Sequence, residues 1–439
     1  MREMKDSGIE WVGKIPCSWS TPKITHILDY RHRYPIGDGD HGSIKASEYA
    51  ESGIPFIRVQ NLGYATDLNT SNMVYITEKQ NEGIKNSTLY PYDVLFAKTG
   101  ATIGKVGMVP PSMEKANTTS HVGKITVSPK TAPRFIYYIL SSYIGYKQFW
   151  DIANLKSTRP ELSIDEIKTI RILLPDTKME QEKIADYLDL KCSEIDAISA
   201  DIQKEIETLE QYKRSVITEA VTKGLNPDAE MKDSGIEWVG NVPAHWDVLA
   251  NKYVMKKRKD ICTKWNGENV LSLTMNGVIV RDLDNPVGKM PTTFDGYQFV
   301  YRGNLLMCLF DYDVTPRCVG IVKNAGVTSP AYSRFELKEN ATLEYFYYYY
   351  LMIDFTKELL HLAKNLRHSF TEEQLGALKV PLPPLDEQKN IATYLDSKCK
   401  EIEFVIASKK QQLTVIDSYK KSLIYEYVTG KKEVPLYES

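Results

Sequence analysis

The longest regular pattern in the chain is a stripe of apolar residues that repeats every seven positions between residues 179 and 223. This segment of 45 residues contains neither Pro nor Gly. The stripe consists of Leu188, Ile195, Ile202, Leu209 and Val216, with Ile184, Ile198 and Tyr212 expected to broaden it. Such a repeat predicts a helix with a coiled-coil seam. At a rise of about 1.5 Å per residue the helix would be about 68 Å long, which exceeds the need of one compact domain.

A second stripe of the same kind runs through residues 385–429. It contains Leu395, Ile402, Ile416 and Leu423, is flanked by Val405 and Tyr419, and has Lys409 at one seam position. Because each apolar stripe needs a partner and a whole domain separates the two segments, we expect the helices to pair with each other in antiparallel fashion. The alternative is that each helix packs only on its own domain.

Between these helices the pattern shortens to apolar or alternating runs separated by Gly, Pro and Asn, which predict β-strands. Such runs cover residues 54–59, 94–97, 105–109 and 124–127. Aromatic-rich helices are predicted at 135–153 and 343–363, and the six adjacent aromatics at 345–350 are expected to lie mostly in the core. The basic run at 256–259 is interpreted as helical and as a possible phosphate contact.

The chain contains an internal duplication. Residues 4–13 recur unchanged at 231–240, and the residues from Glu180 to Ile195 closely match those from Glu387 to Ile402. The segments between these matches share little sequence. We interpret the repeated parts as a frame for a common partner and the dissimilar parts as recognition surfaces for different targets. The predicted division is 1–155, 156–230, 231–370 and 371–439, an α+β fold with two pseudo-symmetric α/β domains and two long antiparallel coiled-coil helices.

Composition narrows the class of protein without identifying it. The 439 residues are 42% hydrophobic and 26% charged with a formal net charge of −2, which is typical of a soluble protein of several domains. The first residues are polar where a secretory signal would be apolar, so we expect a cytoplasmic protein without a membrane span. Six scattered cysteines are expected to be reduced.

A search for catalytic motifs gives no candidate set of catalytic residues and no metal site. The segment from Gly100 to Lys105 is too short between its glycines for a Walker motif and is not followed by the Ser or Thr that would hold magnesium. No glycine-rich dinucleotide motif follows a predicted strand, and no nucleophile elbow or zinc motif is present.

The remaining signal is a loop that follows a predicted strand. Lys98, Thr99, Thr102 and Lys105 surround its glycines and suit a phosphate backbone. The counterpart in the second half is interpreted as residues 310–317, with Phe310 matched to Phe96. Further side chains suited to base edges or to the DNA backbone are Arg58, Gln60, Asn61, Arg159, Asn276, Arg281, Arg302, Tyr312, Arg317, Arg367 and His368.

On these residues the chain resembles the specificity subunit of type I restriction-modification systems along nearly its whole length. The motifs are the repeated M-K-D-S-G-I-E-W segment, G-A-T-I-G-K-V-G at 100–107, G-I-P-F-I-R-V-Q-N at 53–61, and the E-Q-x-x-I-A-x-Y-L-D segment at the start of each long helix. The second loop lacks G-A-T-I-G-K, so the family pattern carries over less well there.

The resemblance implies a chain without an active site. Two target recognition domains would each read one half of a split double-stranded DNA site. The paired helices, through the seam residues given above, would dock two methyltransferase subunits that modify adenine, and restriction subunits could join them. S-adenosylmethionine, ATP and magnesium would belong to those partners.

Two other classes of function stay open on sequence grounds. A scaffold could bind proteins or glycans through two domains across a spacer, and substitution of Lys98 and Lys105 would not affect it. An enzyme in its own right would need a cofactor site that the sequence does not show.

Overall fold

The computed structural model describes residues 2–154, 160–286, 288, 290–362 and 369–435. They form two compact units. The first unit comprises Met1–Asp201 and Gln411–Ser439, and the second comprises Ile202–Lys410. Each unit therefore contains one of the two predicted recognition domains together with a part of both long helices.

The first unit contains short strands, short helices and the start of a long helix. Its strands are β1 (Met4–Asp6), β2 (Lys14–Pro16), β3 (Ile36–Asp38), β4 (Ile54–Ile57), β5 (Val74–Ile76), β6 (Val94–Ala97), β7 (Val106–Met108), β8 (Asn117–Thr118) and β9 (Val122–Ile125). Its α-helices are α1 (Glu78–Gly83), α2 (Pro133–Ser141), α3 (Tyr143–Ala153), α4 (Ile164–Ile167) and α5 (Lys178–Lys223), which continues into the second unit. Single 3₁₀ turns lie at Ile24–Ile27, Ala46–Glu48, Val59–Asn61, Lys85–Ser87 and Gly100–Thr102.

Two sheets build the first recognition domain. One has the order β3-β9-β6-β7 and the other β5-β4-β8, in which β4 and β8 are parallel. Strand β6 is buried on both faces: Val94 and Phe96 pack in the core with α2 and α3, and Leu95 and Ala97 pack in a separate core beyond the other face. This explains the continuous apolar run in its sequence, because neither face meets water.

The second unit repeats this plan with different strands. They are β10 (Met231–Asp233), β11 (Asn241–Pro243), β12 (Asp247–Ala250), β13 (Met255–Arg258), β14 (Val270–Thr274), β15 (Gly277–Val280), β16 (Gln298–Val300), β17 (Leu305–Cys308), β18 (Val319–Ile321), β19 (Gly326–Thr328), β20 (Tyr332–Leu337) and β21 (Lys379–Leu382). Its helices are α6 (Leu343–Thr356), α7 (Glu372–Ala377) and α8 (Leu385–Val428), with 3₁₀ turns at Asn251–Tyr253 and Glu358–Leu362. The main sheets have the orders β13-β20-β17-β18 and β15-β14-β19-β16.

Helices α5 and α8 pack against each other in antiparallel fashion, as predicted. In the first unit, Asp196 pairs with Lys420 at 2.7 Å, and the Tyr187 hydroxyl lies 3.2 Å from that of Tyr427. In the second unit, Lys213 pairs with Glu403 at 2.6 Å, and Glu205 pairs with Lys409. The start of each helix also packs into its own domain core. The predicted pairing is therefore confirmed, and the alternative, in which each helix packs only on its own domain, is wrong, because both kinds of contact are present.

The predicted seam is buried, but part of the predicted stripe is not. Leu188, Ile195, Val216, Leu395, Ile402 and Leu423 are buried, and Ile202, Leu209 and Ile416 are half-buried. Ile198, Tyr212, Val405 and Tyr419 are 40–59% exposed, so their assignment beside the seam was wrong. Ile206, Ile217, Ile406 and Ile424 are buried instead. With 3.6 residues per turn, the buried face of a helix drifts away from a strict seven-residue repeat.

Two predicted helices were wrong in detail. Residues 135–153 form two helices, because the Ser142 hydroxyl accepts a hydrogen bond from the Ile144 amide and starts a new helix there. The basic run at 256–259 is not helical: Lys256, Lys257 and Arg258 belong to β13, which pairs with β20. The aromatic run in α6 is buried apart from the half-buried Tyr347, as predicted.

The duplicated sequence builds duplicated contacts at the start of the long helices. Gln181 is buried, accepts from the Ala132 amide at 2.9 Å and donates to the Pro175 carbonyl at 3.0 Å. Gln388 accepts from the Thr342 amide at 2.8 Å and donates to the carbonyls of Pro383 and Asn340. Each glutamine thereby fixes the angle at which a recognition domain joins its helix.

Candidate DNA interface

The loop after β6 is held on both sides by backbone hydrogen bonds. The Lys98 amide donates to the His121 carbonyl at 3.0 Å, and the Leu162 amide donates to the Lys98 carbonyl at 2.8 Å. The Gly100 amide donates to the Pro160 carbonyl at 2.8 Å. Residues 98–105 therefore form a braced loop at one edge of the sheet.

Several polar side chains of this loop are engaged within the chain. Lys98 is buried and its ammonium pairs with Asp38 at 2.8 Å and Glu161 at 3.7 Å. The Thr99 hydroxyl lies 3.1 Å from His121 Nδ1, and the Thr102 hydroxyl donates to the Thr99 carbonyl at 2.8 Å. These contacts shape the loop, and a direct contact of these side chains with DNA stays a prediction.

Lys105 and Gly104, at the end of the same loop, each lie beside an exposed aromatic ring. Its ammonium is 5.9 Å from the centre of the Tyr64 ring. Gly104 has φ +95°, and a Cβ there would lie 2.6 Å from the ring of Tyr146. Tyr64 and Tyr146 are 47% and 43% exposed. A cation flanked by exposed rings can contact a phosphate while the rings stack on bases or sugars.

Partial burial, with Tyr146 nearby, raises the pKa of Tyr64, so its hydroxyl keeps its proton at neutral pH. Tyr64 and Tyr146 were missed by sequence reasoning. A pattern search could have flagged Tyr64, because it follows the 53–61 motif by three positions, but Tyr146 meets the loop only through folding.

The residues after β4 come to the same edge. Because β4 and β8 are parallel, Arg58 follows β4 where residues 119–121 follow β8. Gln60 is exposed, whereas the buried Asn61 accepts from the Arg58 amide at 2.8 Å and donates to the Asn69 carbonyl. The Arg58 guanidinium donates to the Asn72 carbonyl and lies 5.7 Å from the centre of the Tyr49 ring. Arg58 and Gln60 therefore present side chains beside the loop, while Asn61 shapes the turn.

The equivalent loop of the second unit spans residues 309–318 between β17 and β18. The Phe370 amide donates to the Leu309 carbonyl at 2.8 Å, as the Leu162 amide does to Lys98. Leu309 therefore corresponds to Lys98, and the sequence-based pairing of Phe96 with Phe310 was wrong by three residues. The strand register shows which residues of the two loops are equivalent. The pairing of Phe96 with Phe310 had depended on the identity of one aromatic residue.

The second loop differs in chemistry. Tyr312 is buried, donates to the Ile353 carbonyl at 3.3 Å and packs edge-on against Phe370. Burial raises the pKa of the Tyr312 hydroxyl, so it stays protonated. Arg317 is half-buried and donates to the Tyr347 hydroxyl at 3.4 Å, and Val314 at the tip is 73% exposed.

Two of the remaining predicted residues of the second unit are brought together, and Arg281 is not. Asn276 and Arg302 line a cleft of about 680 Å³ beside α8. The Arg281 amide donates to the Val270 carbonyl at the other end of the β14–β15 hairpin. Arg159, Arg367 and His368 lie outside the described residues.

Matching clefts border α5 and α8. The cleft of about 630 Å³ in the first unit includes Arg134 and Asp189, which pair at 2.6 Å. The Tyr138 hydroxyl also donates to Asp189 at 2.6 Å, and in the second unit the Tyr348 hydroxyl donates to Asp396 at 2.7 Å. The duplication thus extends to individual hydrogen bonds.

Comparison with known protein families identifies this arrangement. The family model described as the type I restriction modification DNA specificity domain matches residues 40–208 and 316–414, more than half of the chain. The chain belongs to this specificity family. It is therefore a type I DNA specificity subunit, and the predicted family membership is confirmed.

Relatives of this specificity subunit match along nearly its whole length. The type I restriction enzyme MjaVIII specificity subunit of Methanocaldococcus jannaschii is 25% identical over 440 residues, covering 96% of this chain and 94% of the relative. A protein of the same organism with the provisional name of MjaX specificity subunit is 23% identical, covering 96% of each chain.

A solved structure supports the fold. The solved structure concerns complex assembly and conformational transition of the type I R-M system. One of its chains matches this chain with a TM-score of 0.67 at 12% identity, covering 95% of this chain and 99% of that one. Within the described ranges, no helix of this specificity subunit has the length and apolar character of a membrane span, and no cluster of three or more His, Cys, Asp or Glu suits a metal ion.

Proposed function

We propose that this specificity subunit reads an asymmetric DNA target in two parts, one with each recognition domain. The observation that supports this most directly is the pair of equivalent loops, 98–105 and 309–318, which join equivalent strands but carry different side chains. Two different surfaces on one repeated frame are suited to two different half-sites.

In the first domain, Lys105, Tyr64, Tyr146, Arg58 and Gln60 form the proposed contact surface. Lys98, Thr99, Thr102 and Asn61 hold this surface in place, although the predicted DNA contacts of these side chains remain part of the proposal. In the second domain the loop around Val314 and Arg317 takes the same position, so it is proposed to read its half-site with fewer charges.

We further propose that the outward faces of the long helices dock the modification subunits. In the first unit Leu190, Ile198, Val415 and Tyr419 are 49–61% exposed, and in the second unit Tyr212, Tyr394, Phe404 and Val405 are 40–77% exposed. Apolar side chains in water on a regular helix favour a helical partner that covers them. The seam residues are buried or half-buried within the chain, so they hold the chain together and position these faces.

In the proposed complex this chain carries no catalytic residues. Two methyltransferase subunits supply adenine methylation with S-adenosylmethionine, and restriction subunits supply ATP- and magnesium-dependent translocation and cleavage. Double-stranded DNA and these subunits are the proposed partners, and the cytoplasm is the proposed location.

The test is a genome-wide map of methylated adenines with and without this gene. A split motif with a fixed spacer should disappear on deletion. Exchange of residues 20–155 for those of another family member should change one half of the motif, and exchange of residues 247–370 should change the other half. An exchange that alters both halves, or a deletion that leaves every motif in place while the partner subunits are expressed, contradicts the proposal.

A docking variant separates the two parts of the proposal. Phe404→Glu should abolish methylation in the assembled system while the purified chain binds DNA as before. Glu403→Gln, on the same helix, is the matched control and should leave methylation intact. Full methylation with Phe404→Glu would show that the modification subunits dock elsewhere.

A further inference from the structure

The first unit contains a small cleft whose walls are basic and aromatic. Its volume is about 180 Å³, and its lining consists of His32, Arg33, Tyr34, Lys85, Asn86, Tyr90 and Lys124. No carboxylate is among these described lining residues. The cleft lies beside the start of β3 and ahead of β6, whereas the 98–105 loop follows the end of β6, so it is separate from the proposed base-reading surface.

Lys124 forms the floor of the cleft. It is on β9, its side chain is 1% exposed, and its ammonium donates to the Thr88 carbonyl and lies 5.3 Å from the centre of the Tyr90 ring. An ammonium has three N–H donors, so the bond to the Thr88 carbonyl leaves Lys124 with capacity for a further acceptor. A buried cation is costly unless charge or hydrogen-bond acceptors compensate it.

The nearby carboxyl groups lie behind the cleft or beside it, not on its rim. Asp93 is buried behind the cleft wall, accepts from the Tyr90 amide at 2.9 Å and is close enough to Lys124 for the two charges to attract each other. Asp29 accepts two hydrogen bonds from the Arg31 guanidinium, at 2.9 and 2.7 Å, which lower its pKa to about 2. His32 Nε2 lies 3.8 Å from Asp29. The exposed Arg33 and Lys85 on the rim therefore add positive charge that these acids do not remove.

The second unit shows how the same position can be satisfied from within the chain. In the strand register, Arg334 lies opposite Leu306 as Lys124 lies opposite Leu95, so the two cations are equivalent. The Arg334 guanidinium lies 5.1 Å from the centre of the Tyr301 ring, and Tyr301 is the equivalent of Tyr90. The Arg334 guanidinium also donates to the Phe299 carbonyl at 2.8 Å.

One carboxylate lies near this second buried cation, and another accepts a hydrogen bond from its tyrosine. Glu336, two residues along the strand, lies 3.9 Å from Arg334, and the Tyr301 hydroxyl donates to Asp260 at 2.6 Å. The residue two positions after Lys124 is Thr126, which carries no charge. The counter-charges of the two buried cations therefore differ: Asp93 lies behind Lys124, and Glu336 lies beside Arg334. The rim of the cleft over Lys124 stays basic.

We propose that this cleft binds a phosphate group, with Lys124 at the floor and Arg33 and Lys85 at the rim. Its volume admits a tetrahedral oxyanion but not a whole nucleotide. The same chemistry has two sources, a phosphodiester of the DNA backbone or a free phosphate, and either would place an anion among Lys124, Arg33 and Lys85.

The experiment is calorimetric titration of inorganic phosphate into the purified full chain at constant ionic strength, with chloride as the reference salt. We expect saturable binding, weakened at least tenfold by the double variant Arg33→Gln/Lys85→Gln, whose side chains are exposed and whose fold should persist. Lys79→Gln/Lys130→Gln removes the same charge from the same unit outside the cleft and should leave phosphate binding unchanged. Lys124→Met should abolish it in protein whose near-ultraviolet circular dichroism is unchanged.

A second titration with a labelled mixed-sequence duplex identifies the source. If the rim double variant and added phosphate both weaken DNA binding, the anion is a backbone phosphate. If DNA affinity is unchanged and the DNA complex still binds phosphate, the ligand is a free phosphate. The inference is overturned if neither phosphate nor DNA binding depends on Arg33 and Lys85, or if the control pair has an equal effect. Because phosphate binding needs no partner subunit, this result is independent of the methylation map.

Discussion

The loops 98–105 and 309–318 occupy the same place in two copies of one fold, yet they share almost no chemistry. The first has a buried lysine paired with Asp38 and a half-buried lysine beside the ring of Tyr64. The second has Leu309 at the lysine position, a buried tyrosine and an exposed valine at its tip. Both loops depend on the same backbone hydrogen bond from the following segment. The fold therefore fixes where a target is read, and the side chains are free to decide what is read.

The repeated frame reaches further into the domains than the sequence matches suggest. Asp93 and Asn304 each precede the central strand and accept the amide of a tyrosine three residues earlier, at 2.9 and 2.8 Å. Lys124 and Arg334 each lie over that tyrosine.

The largest effect is expected at the glutamines that start the long helices. Gln388→Leu should lower the free energy of unfolding by about 4 kcal/mol, because buried donors and acceptors lose their partners at a cost of about 1–3 kcal/mol each. Gln181→Leu, which breaks fewer bonds, should cost about 3 kcal/mol. Urea unfolding measures both. The free energy of unfolding of the exposed Gln203→Leu variant should stay within about 0.5 kcal/mol of that of the parent protein. Equal effects at all three positions would show that Gln181 and Gln388 do not hold the domains on their helices.

Asp93 should give the first unit a pH dependence that Asn304 cannot give the second. Burial raises the pKa of Asp93 from 3.8 to about 6, so the folded chain holds this proton more tightly than the unfolded chain. The free energy of unfolding should therefore fall by up to roughly 3 kcal/mol as pH rises from about 4 to about 6. In urea titrations across this range, Asp93→Asn should become progressively more stable relative to the parent protein. Parallel pH profiles would show that Asp93 does not titrate there.

Gly104 should tolerate a side chain less well than its neighbour Gly100. Both have positive φ, but a Cβ at Gly104 meets Tyr146 and a Cβ at Gly100 meets open space. We expect Gly104→Ala to cost about 2 kcal/mol and Gly100→Ala about 1 kcal/mol. Thermal unfolding of the two variants tests this order, and the reverse order would mean that Tyr146 moves aside freely.

Lys105 should contribute to DNA binding in a way that the loop tip of the second unit does not. Lys105→Ala should weaken binding of a duplex about fivefold and reduce the slope of log affinity against log salt by about one, because one phosphate contact is lost. Val314→Ala should leave that slope unchanged. Fluorescence anisotropy at several salt concentrations measures both. An unchanged slope for Lys105→Ala would exclude a phosphate contact.

The smallest effect is expected at the lysines of the helix pair. Lys420 is buried and pairs with Asp196, whereas Lys409 is more exposed and pairs with Glu205. Lys409→Leu should change stability by less than about 1 kcal/mol, since exposed ion pairs contribute little, and Lys420→Leu should cost more. Urea midpoints distinguish them, and equal midpoints would show that burial of the pair is irrelevant.

The sequence was sufficient for features that depend on local pattern. The seven-residue repeat located both long helices, and apolar runs located β6 and β9. It failed where a partner decides the outcome. Lys256 to Arg258 form a strand because β20 supplies the pairing, and Ser142 divides a helix because its hydroxyl competes for a backbone amide.

The candidate site was less predictable than the fold for the same reason. From the sequence, Lys98 was expected to bind DNA, but in the fold it pairs with Asp38. Tyr146 lies against the loop although it belongs to a helix more than 40 positions away. Side-chain type shows what a residue could bind, and only the fold shows whether another residue already binds it.

The division of α5 and α8 between the units has a consequence for the order of synthesis. The second unit is one uninterrupted stretch of chain, so it can complete its core as soon as residue 410 has left the ribosome. The first unit needs Leu423, Ile424, Tyr427 and Val428 in its core, and these are made only after the entire second unit. The recognition domain that is translated first is therefore expected to complete its core last, and part of its apolar surface stays exposed until the end of α8 has been synthesised.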